Sequence, residues 1–272
     1  MSDISVKGII LAGGSATRLY PVTKVINKHL LPIYDKPMIY YPLSILMQAN
    51  IRDILIITTK NSISSFRKLL GNGSKLGIKI SYIVQDKPNG LAEAFILGED
   101  FINNNPCIMI LGDNIFYNKK IYISIKSGIN NAINGYATIF GYKVKNPSQF
   151  GVMNVKNGNI ISVEEKPCNP KSNYAITGLY IFPPNVSLFA KNVKHSPRGE
   201  LEVTSLIECY LRDNKLKYTI FDKESVWYDA GTFDSLLEVS NKIRDICMLS
   251  NDKKWCLCDI AKKNGWIDNN KE

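Results

Sequence analysis

A glycine-rich turn follows the first apolar run of the chain. Leu11 leads into Ala12-Gly13-Gly14-Ser15-Ala16-Thr17-Arg18, with Lys24 and Lys28 close behind. Backbone amides in such a turn can cradle phosphate oxygens, Arg adds a planar fork of donors, and Lys adds a compact charge. The combination suits a polyphosphate; solvated surface charge beside a tight turn is the plainer alternative. The spacing is neither G-x-x-x-x-G-K-[ST] nor G-x-G-x-x-G, so neither the P-loop nor the dinucleotide fingerprint applies. Asp113 follows a second apolar run, in Leu111-Gly112-Asp113-Asn114. Asp229 follows Val226-Trp227-Tyr228 and precedes Ala230-Gly231. A pair of carboxylates at strand ends can hold Mg²⁺, which bridges phosphate oxygens and keeps several waters. Helix N-capping is the competing use of either Asp. Glu164-Glu165-Lys166-Pro167 ends another strand. There a carboxylate suits sugar hydroxyls and an ammonium suits a phosphate, against the simpler reading of a solvated edge. His29 and His195 are the only histidines. Neither has a Ser or Cys partner in triad arrangement, so nucleophilic catalysis has no support.

These residues need elements to hold them. Lys7–Leu11, Ile54–Thr58, Ile78–Val84 and Cys107–Leu111 are short, β-branched and bounded by turn residues, so they read as buried parallel strands. Helical periodicity lies between them, at Met38–Ala49, Ile63–Leu70 and Gly90–Phe101. The alternation predicts an α/β fold with a Rossmann-like, mostly parallel open sheet and helices on both faces. Ligands bind such sheets beyond the carboxyl ends of the strands, so the loops after Leu11 and Leu111 should face one crevice. The later chain reads as an added β-rich part. Its strands are Ala137–Lys143, Gly151–Val155, Ile160–Val163, Ile176–Phe182 and Leu216–Phe221, with a hairpin turn at Asn157-Gly158. Helices are expected at Glu200–Arg212 and Thr232–Asp245, the latter capped by Thr232.

Composition narrows the classes. Lys plus Arg is 34 against 24 Asp plus Glu, a net charge of +10. The lysines are scattered, and no zinc-finger spacing or arginine-rich arm accompanies them, so neither nucleic acid nor a membrane is an expected partner. No apolar run reaches the ~18 residues of a membrane-spanning helix. The polar start lacks a signal-peptide pattern, which predicts a cytoplasmic protein. The six cysteines then read as free thiols, with Cys107 and Cys209 buried in apolar segments.

Leu11–Leu19 followed by Lys28-His29-Leu30-Leu31-Pro32 closely resembles the motif of the sugar-1-phosphate nucleotidyltransferase family. Ile33–Pro42, Leu111–Asn114, Glu164–Pro167, Lys171–Tyr180 and Ser196–Glu202 are similar to its short-form thymidylyltransferases in particular. The similarity is collinear from about Lys7 to about Asn241. It implies a nucleotide-diphospho-sugar transferase fold and one reaction: dTTP plus glucose 1-phosphate gives dTDP-glucose and pyrophosphate. It implies that Leu11, Gly13, Gly14, Ser15, Ala16, Thr17, Arg18, His29, Gln85, Pro88 and Gly90 bind the nucleotide, with Arg18 and Lys28 catalytic. Leu91, Asn114, Gly151, Glu165, Lys166, Tyr174, Ile176 and Trp227 would bind the sugar phosphate, and Asp113 and Asp229 would hold Mg²⁺. A nucleotide-binding part over about 1–115, a sugar-binding part over about 116–245 and a short extension over 246–272 follow. So does a homo-oligomer, tetramer or dimer, serving nucleotide-sugar supply such as dTDP-rhamnose for polysaccharide. Ala16 stands where the family usually has Gly, His29 where it has Gln, Glu93 where Gln is common and Phe150 where it has Tyr. These positions leave open UTP or another hexose 1-phosphate; a non-catalytic nucleotide-sugar sensor is the alternative from another class, against which the intact Lys28, Asp113 and Asp229 stand.

Overall fold

The computed structural model describes residues 5–117, 121–222, 224–250 and 255–268. In chain order the elements begin with strand β1 (Lys7–Ala12), the short pair β2 (Pro32–Ile33) and β3 (Lys36–Pro37), and helix α1 (Tyr40–Gln48). Then come β4 (Asp53–Thr58), α2 (Ile63–Leu70), β5 (Lys79–Val84), α3 (Glu93–Leu97), α4 (Glu99–Ile102), β6 (Cys107–Leu111) and β7 (Asn114–Tyr117). The later chain holds α5 (Ile121–Ile133), β8 (Ala137–Lys143), β9 (Gly151–Lys156), β10 (Asn159–Glu165) and β11 (Tyr174–Phe182). It continues through α6 (Val186–Lys191), α7 (Val203–Arg212), β12 (Leu216–Ile220), β13 (Val226–Asp229), α8 (Phe233–Ser250) and α9 (Leu257–Lys263). The fold is α/β, with a mixed, mostly parallel sheet interleaved with helices. No helix among the described residues is long and apolar enough to cross a membrane.

The chain forms two compact units, each made of separate stretches of sequence. The first comprises Met1–Lys7, Pro88–Met109 and Asn118–Ser225; the second comprises Gly8–Lys87, Ile110–Tyr117 and Val226–Glu272.

In the second unit the strand order is β1-β4-β5, and β4 and β5 pair in parallel from Asp53↔Lys79 to Thr58↔Val84. The apolar run of β4 is continuous because both faces are covered, whereas β5 has an exposed Lys79 and is mostly half-buried. The Gly112 amide donates to the Leu11 carbonyl at 2.9 Å, so the ends of β1 and β6 are neighbours as expected. Helix α1 is buried from Tyr41 to Met47, which explains an apolar sequence with no polar stripe. Strands β7 and β13 form an antiparallel ribbon with Asp229 opposite Asn114 and Trp227 opposite Phe116. Beneath it lies a core of Ile33, Met38, Tyr41, Ile115, Val239, Ile243 and Trp255. The Tyr41 and Trp255 rings are 5.5 Å apart, and the Tyr41 hydroxyl donates to the Ile33 carbonyl at 2.7 Å. Burying each such side chain contributes roughly 1.5–3 kcal/mol. Thr232 does cap α8, since its Oγ1 accepts from the Ser235 amide at 3.2 Å, and the helix runs five residues past the expected Asp245.

In the first unit β10, β9, β11 and β8 pair antiparallel in that order, and β12 adds to β8 in parallel. Asn157 and Gly158 both have positive φ and turn β9 into β10, as the dipeptide predicts.

Two helices are shorter than their periodicity. The one expected over Gly90–Phe101 starts at Glu93, because Gly90 sits at φ +111°, and it is divided at Gly98. The one expected from Glu200 starts at Val203, because the Leu201 amide and carbonyl are bonded to Asn89 and Ala92. Cys107 is buried as expected, whereas Cys209 is only half-buried, since its position on amphipathic α7 lies beside the exposed Arg212. All six thiols are free.

Candidate active site

The glycine turn leaves β1 at Ala12 and is tied down from behind. The Ala12 carbonyl accepts from Thr58 Oγ1 at 2.9 Å and from Asn27 Nδ2 at 3.2 Å. The Ala16 carbonyl accepts from Thr23 Oγ1 at 2.8 Å and from the Leu19 amide at 3.0 Å, opening the 3-10 turn Thr17–Leu19. Gly14 has φ +87° and Ala16 has φ 46° with ψ 40°, so this path needs left-handed backbone at a residue with a Cβ. A Cβ on Gly13 would meet Gln85 Oε1 at 3.1 Å, which places the buried Gln85 against the turn. A cleft of about 210 Å³ opens beside it, lined by Gly14, Ser15 and Ala16, by Lys24 and Lys28, and by the hydroxyl residues Thr59 and Ser62.

Lys28 begins a further 3-10 turn, capped by Asn27 Oδ1, which accepts from the His29 amide at 2.9 Å. His29 is 2% exposed, and its ring lies where a Cβ on Gly112 would fall, 2.6 Å from Cδ2. Burial, then the neighbouring Lys28 charge, lower its pKa to about 3, so the imidazole is neutral at pH 7 and Nδ1 faces Asn27 Oδ1 at 2.8 Å.

The Lys28 ammonium donates to Asp113 Oδ2, while Asn114 Nδ2 donates to Asp113 Oδ1 at 3.0 Å. Burial opposes ionisation of Asp113, but the Lys28 charge prevails and holds the carboxyl well below the usual range. The ribbon brings Asp229 alongside, with the Ala230 amide donating to the Asp113 carbonyl at 3.0 Å. Asp229 is the opposite case. Its Oδ1 is buried without a hydrogen-bond partner, and burial followed by the Asp113 charge raises its pKa to about 6. Neither aspartate caps a helix. A Cβ on Gly231 would lie 2.5 Å from Arg18 Nη2, so the guanidinium packs on the backbone just beyond Asp229. Trp227 Nε1 donates to Asn114 Oδ1 at 2.6 Å on the same ribbon.

A divalent cation fits this pair. Two adjacent carboxylates, one with an orphaned buried oxygen, leave a negative charge at Asp229 that the Lys28 and Arg18 charges do not offset. No group of three or more His, Cys, Asp or Glu gathers among the described residues. A cation here would therefore take most of its ligands from water or phosphate, as Mg²⁺ does.

The first unit holds a second cluster. A Cβ on Gly151 would lie 3.0 Å from Thr204 Cγ2, 3.4 Å from Glu165 Oε2 and 3.6 Å from Ile176 Cδ1. Thr204 Oγ1 donates to Glu165 Oε2 at 3.2 Å, and Arg198 Nη1 lies 3.4 Å from Glu165 Oε1. Burial, then the Glu202 charge, raise the Glu165 pKa. Lys166 follows at φ 41°, its amide bonded to the Phe150 carbonyl at 3.0 Å. Glu164 instead pairs with Lys171 at the surface, so its charge is the solvated edge. Tyr174 opens β11. Gly90 approaches Leu201 so closely that a Cβ would lie 2.4 Å from its carbonyl oxygen, which places Pro88–Leu91 against the start of α7. Asn114 and Trp227, expected with the sugar residues, lie in the second unit; Pro88 and Gly90, expected with the nucleotide residues, lie in the first.

Thr204, Arg198, Glu202 and Gly231 carry no role in the residue reading. Arg198 and Glu202 lie inside the family-like segment Ser196–Glu202, and Thr204 two residues beyond it. His195 is exposed.

A turn built for phosphate beside a lysine, an arginine and a carboxylate pair is the equipment of nucleotidyl transfer. Residues 7–246 match the model of the family described as nucleotidyl transferase. The chain belongs to that family and is an enzyme. Within it, the glucose-1-phosphate thymidylyltransferase of Neisseria meningitidis serogroup A is 50% identical over 97% of this chain and 92% of its own. That of Mycobacterium tuberculosis is 47% identical over 96% and 90%. A Bacillus anthracis structure, described as a candidate enzyme of the same name in complex with sucrose, superposes with TM-score 0.84 and 42% identity over 93% of this chain and 99% of that one. A UDP-glucose pyrophosphorylase in complex with UDP-glucose gives 0.77 and 25%, over 89% and 99%.

Proposed function

We propose that the protein transfers a thymidylyl group from dTTP to glucose 1-phosphate, giving dTDP-glucose and pyrophosphate. The observation that carries this reading is the Lys28–Asp113 pair beside the orphaned Asp229 oxygen at the edge of the glycine turn. The name shared by relatives at about half identity supports it.

Backbone amides of Gly13, Gly14, Ser15 and Thr17 would receive the triphosphate, and Arg18 would lay its fork on the same phosphates. Asp113 and Asp229 would hold Mg²⁺, which when bound neutralises phosphate charge and orients the triphosphate. Glu165 and the Gly151 backbone would take the hexose hydroxyls, and Lys166 its phosphate. A sugar-phosphate oxygen then attacks the α-phosphorus. The new P–O bond forms as the α–β bridge bond breaks, and pyrophosphate leaves with the electron pair. The attacking oxygen is already anionic, so no general base is required, which accounts for a site without a triad. Lys28 would exchange Asp113 for the charge growing on the departing pyrophosphate. A uridylyl version is the second reading, favoured by the likeness to a UDP-glucose pyrophosphorylase.

With Mg²⁺, dTTP and glucose 1-phosphate, Lys28→Ala should turn over roughly 10²–10³-fold more slowly while folding normally. Undiminished turnover by a folded Lys28→Ala would remove Lys28 from the mechanism.

A further inference from the structure

We propose that Glu202 is a positioning residue for hexose binding, acting through Arg198 on Glu165. The proposal rests on Glu165 contacting the hexose, as assigned above.

Glu202 is a buried acid, 5% exposed, at the residue preceding α7. Its partners are few: Ser196 Oγ donates to Oε1 at 2.9 Å, and Arg198 Nη1 lies 3.5 Å from the same oxygen. That guanidinium nitrogen is also 3.4 Å from Glu165 Oε1. Arg198 therefore spans two acids of which one, Glu165, faces Gly151 and Thr204. Its other nitrogen, Nη2, lies 3.4 Å from Glu200 at the surface.

The backbone around Glu202 is pinned independently of its side chain. The Ser196 amide donates to the Glu200 carbonyl at 2.9 Å and the Gly199 amide to the Ser196 carbonyl at 2.8 Å. The Leu201 amide donates to Asn89 at 2.6 Å and its carbonyl accepts from Ala92 at 3.0 Å. The carboxylate adds one tie to this turn through Ser196 Oγ, which also accepts from the Arg198 amide at 3.2 Å.

Placing a second acid beside Glu165 is a poor way to gain stability. A buried ion pair seldom repays its desolvation, and like charges repel. The arrangement makes sense as aim. Arg198 is 41% exposed along its side chain, and an exposed pair such as the one with Glu200 holds an arginine weakly. The buried Glu202 charge keeps the guanidinium at the Glu165 end. The guanidinium and Thr204 then hold both Glu165 oxygens in fixed directions.

The test is a double-mutant cycle in the full-length protein, measuring steady-state kinetics with Mg²⁺, dTTP and glucose 1-phosphate. Glu202→Gln keeps the shape and the Ser196 contact but removes the charge. It should raise KM for glucose 1-phosphate about tenfold, leave kcat within about twofold, and leave KM for dTTP unchanged. Glu202→Asp should recover part of the loss. In an Arg198→Ala background, Glu202→Gln should add nothing, because the path runs through Arg198. Thermal unfolding monitors each variant, and Glu202→Asp carries the cycle if the Gln variant does not fold. Wild-type turnover with an unchanged KM in Glu202→Gln, or with additive effects in the cycle, overturns this proposal alone. Absence of wild-type turnover overturns the proposed function and this inference with it.

Discussion

At Asp113 and Asp229 two carboxylates side by side are held in opposite protonation regimes, one by the Lys28 ammonium and the other by burial. Asp229 binds its proton more tightly folded, at a pKa of about 6, than unfolded, near 3.9. Its contribution to stability therefore falls as pH rises from about 4 to about 6 and stays lost above. Asp229→Asn should melt higher than wild type at pH 8 and equal to it at pH 4, and Mg²⁺ should raise the melting temperature of wild type alone. A variant that melts lower at pH 8 would contradict the buried, repelled charge. His29 runs the other way. Its folded pKa near 3 lies below the unfolded 6.5, so stability is lost as pH falls through that window. His29→Gln should lose less stability than wild type between pH 6.5 and pH 4, read as melting temperature against pH. Asp113 and Asp229 stand out in the sequence because each ends an apolar run, although helix capping competes there until the structure is seen. Gly231 and Arg198 do not, because each takes its meaning from a partner far along the chain or across a turn: Arg18 against Gly231, Glu165 and Glu202 against Arg198.

Elements are legible where one period dominates. The runs of β1, β4 and β6 are apolar on both faces, β5 is β-branched but half-buried, and all four appear within a residue of their expected ends. The shortened starts of α3 and α7 show what periodicity omits, since both are trimmed by a single backbone exchange, between Asn89, Ala92 and Leu201. Periodicity also passes over β7, α5, α6 and α9, which are short or carry mixed patterns. Gly90→Ala should break the exchange, because a Cβ 2.4 Å from the Leu201 oxygen forces the backbone apart at a φ that L side chains rarely adopt. A loss of about 2 kcal/mol or more in denaturant unfolding is expected, and a loss below about 0.5 kcal/mol would mean the loop yields freely. Thr232→Ala should cost about 1 kcal/mol through the lost α8 cap, read by the same unfolding measurement.

For the whole molecule, the net charge of +10 tempts toward nucleic acid, yet many of the cations have tasks within the fold: Lys28 and Arg198 sit beside carboxylates, Lys24 lines the glycine-turn cleft, and Lys7, Arg52, Arg67 and Lys217 lie over aromatic rings. The family match spans almost the whole described chain, so the chemistry belongs to this fold and not to an appended segment. At the departures from the family pattern, His29 is enclosed under Gly112, Glu93 accepts from Asn89 at 2.7 Å, and Ala16 sits in left-handed backbone. The central claim is tested by pyrophosphate release with Mg²⁺ and glucose 1-phosphate, offering dTTP, UTP, CTP, GTP and ATP in parallel. Release with dTTP well above the others, reduced at least a hundredfold in Lys28→Ala, is the predicted result. Equal or greater release with another nucleotide, or none with any, would contradict it.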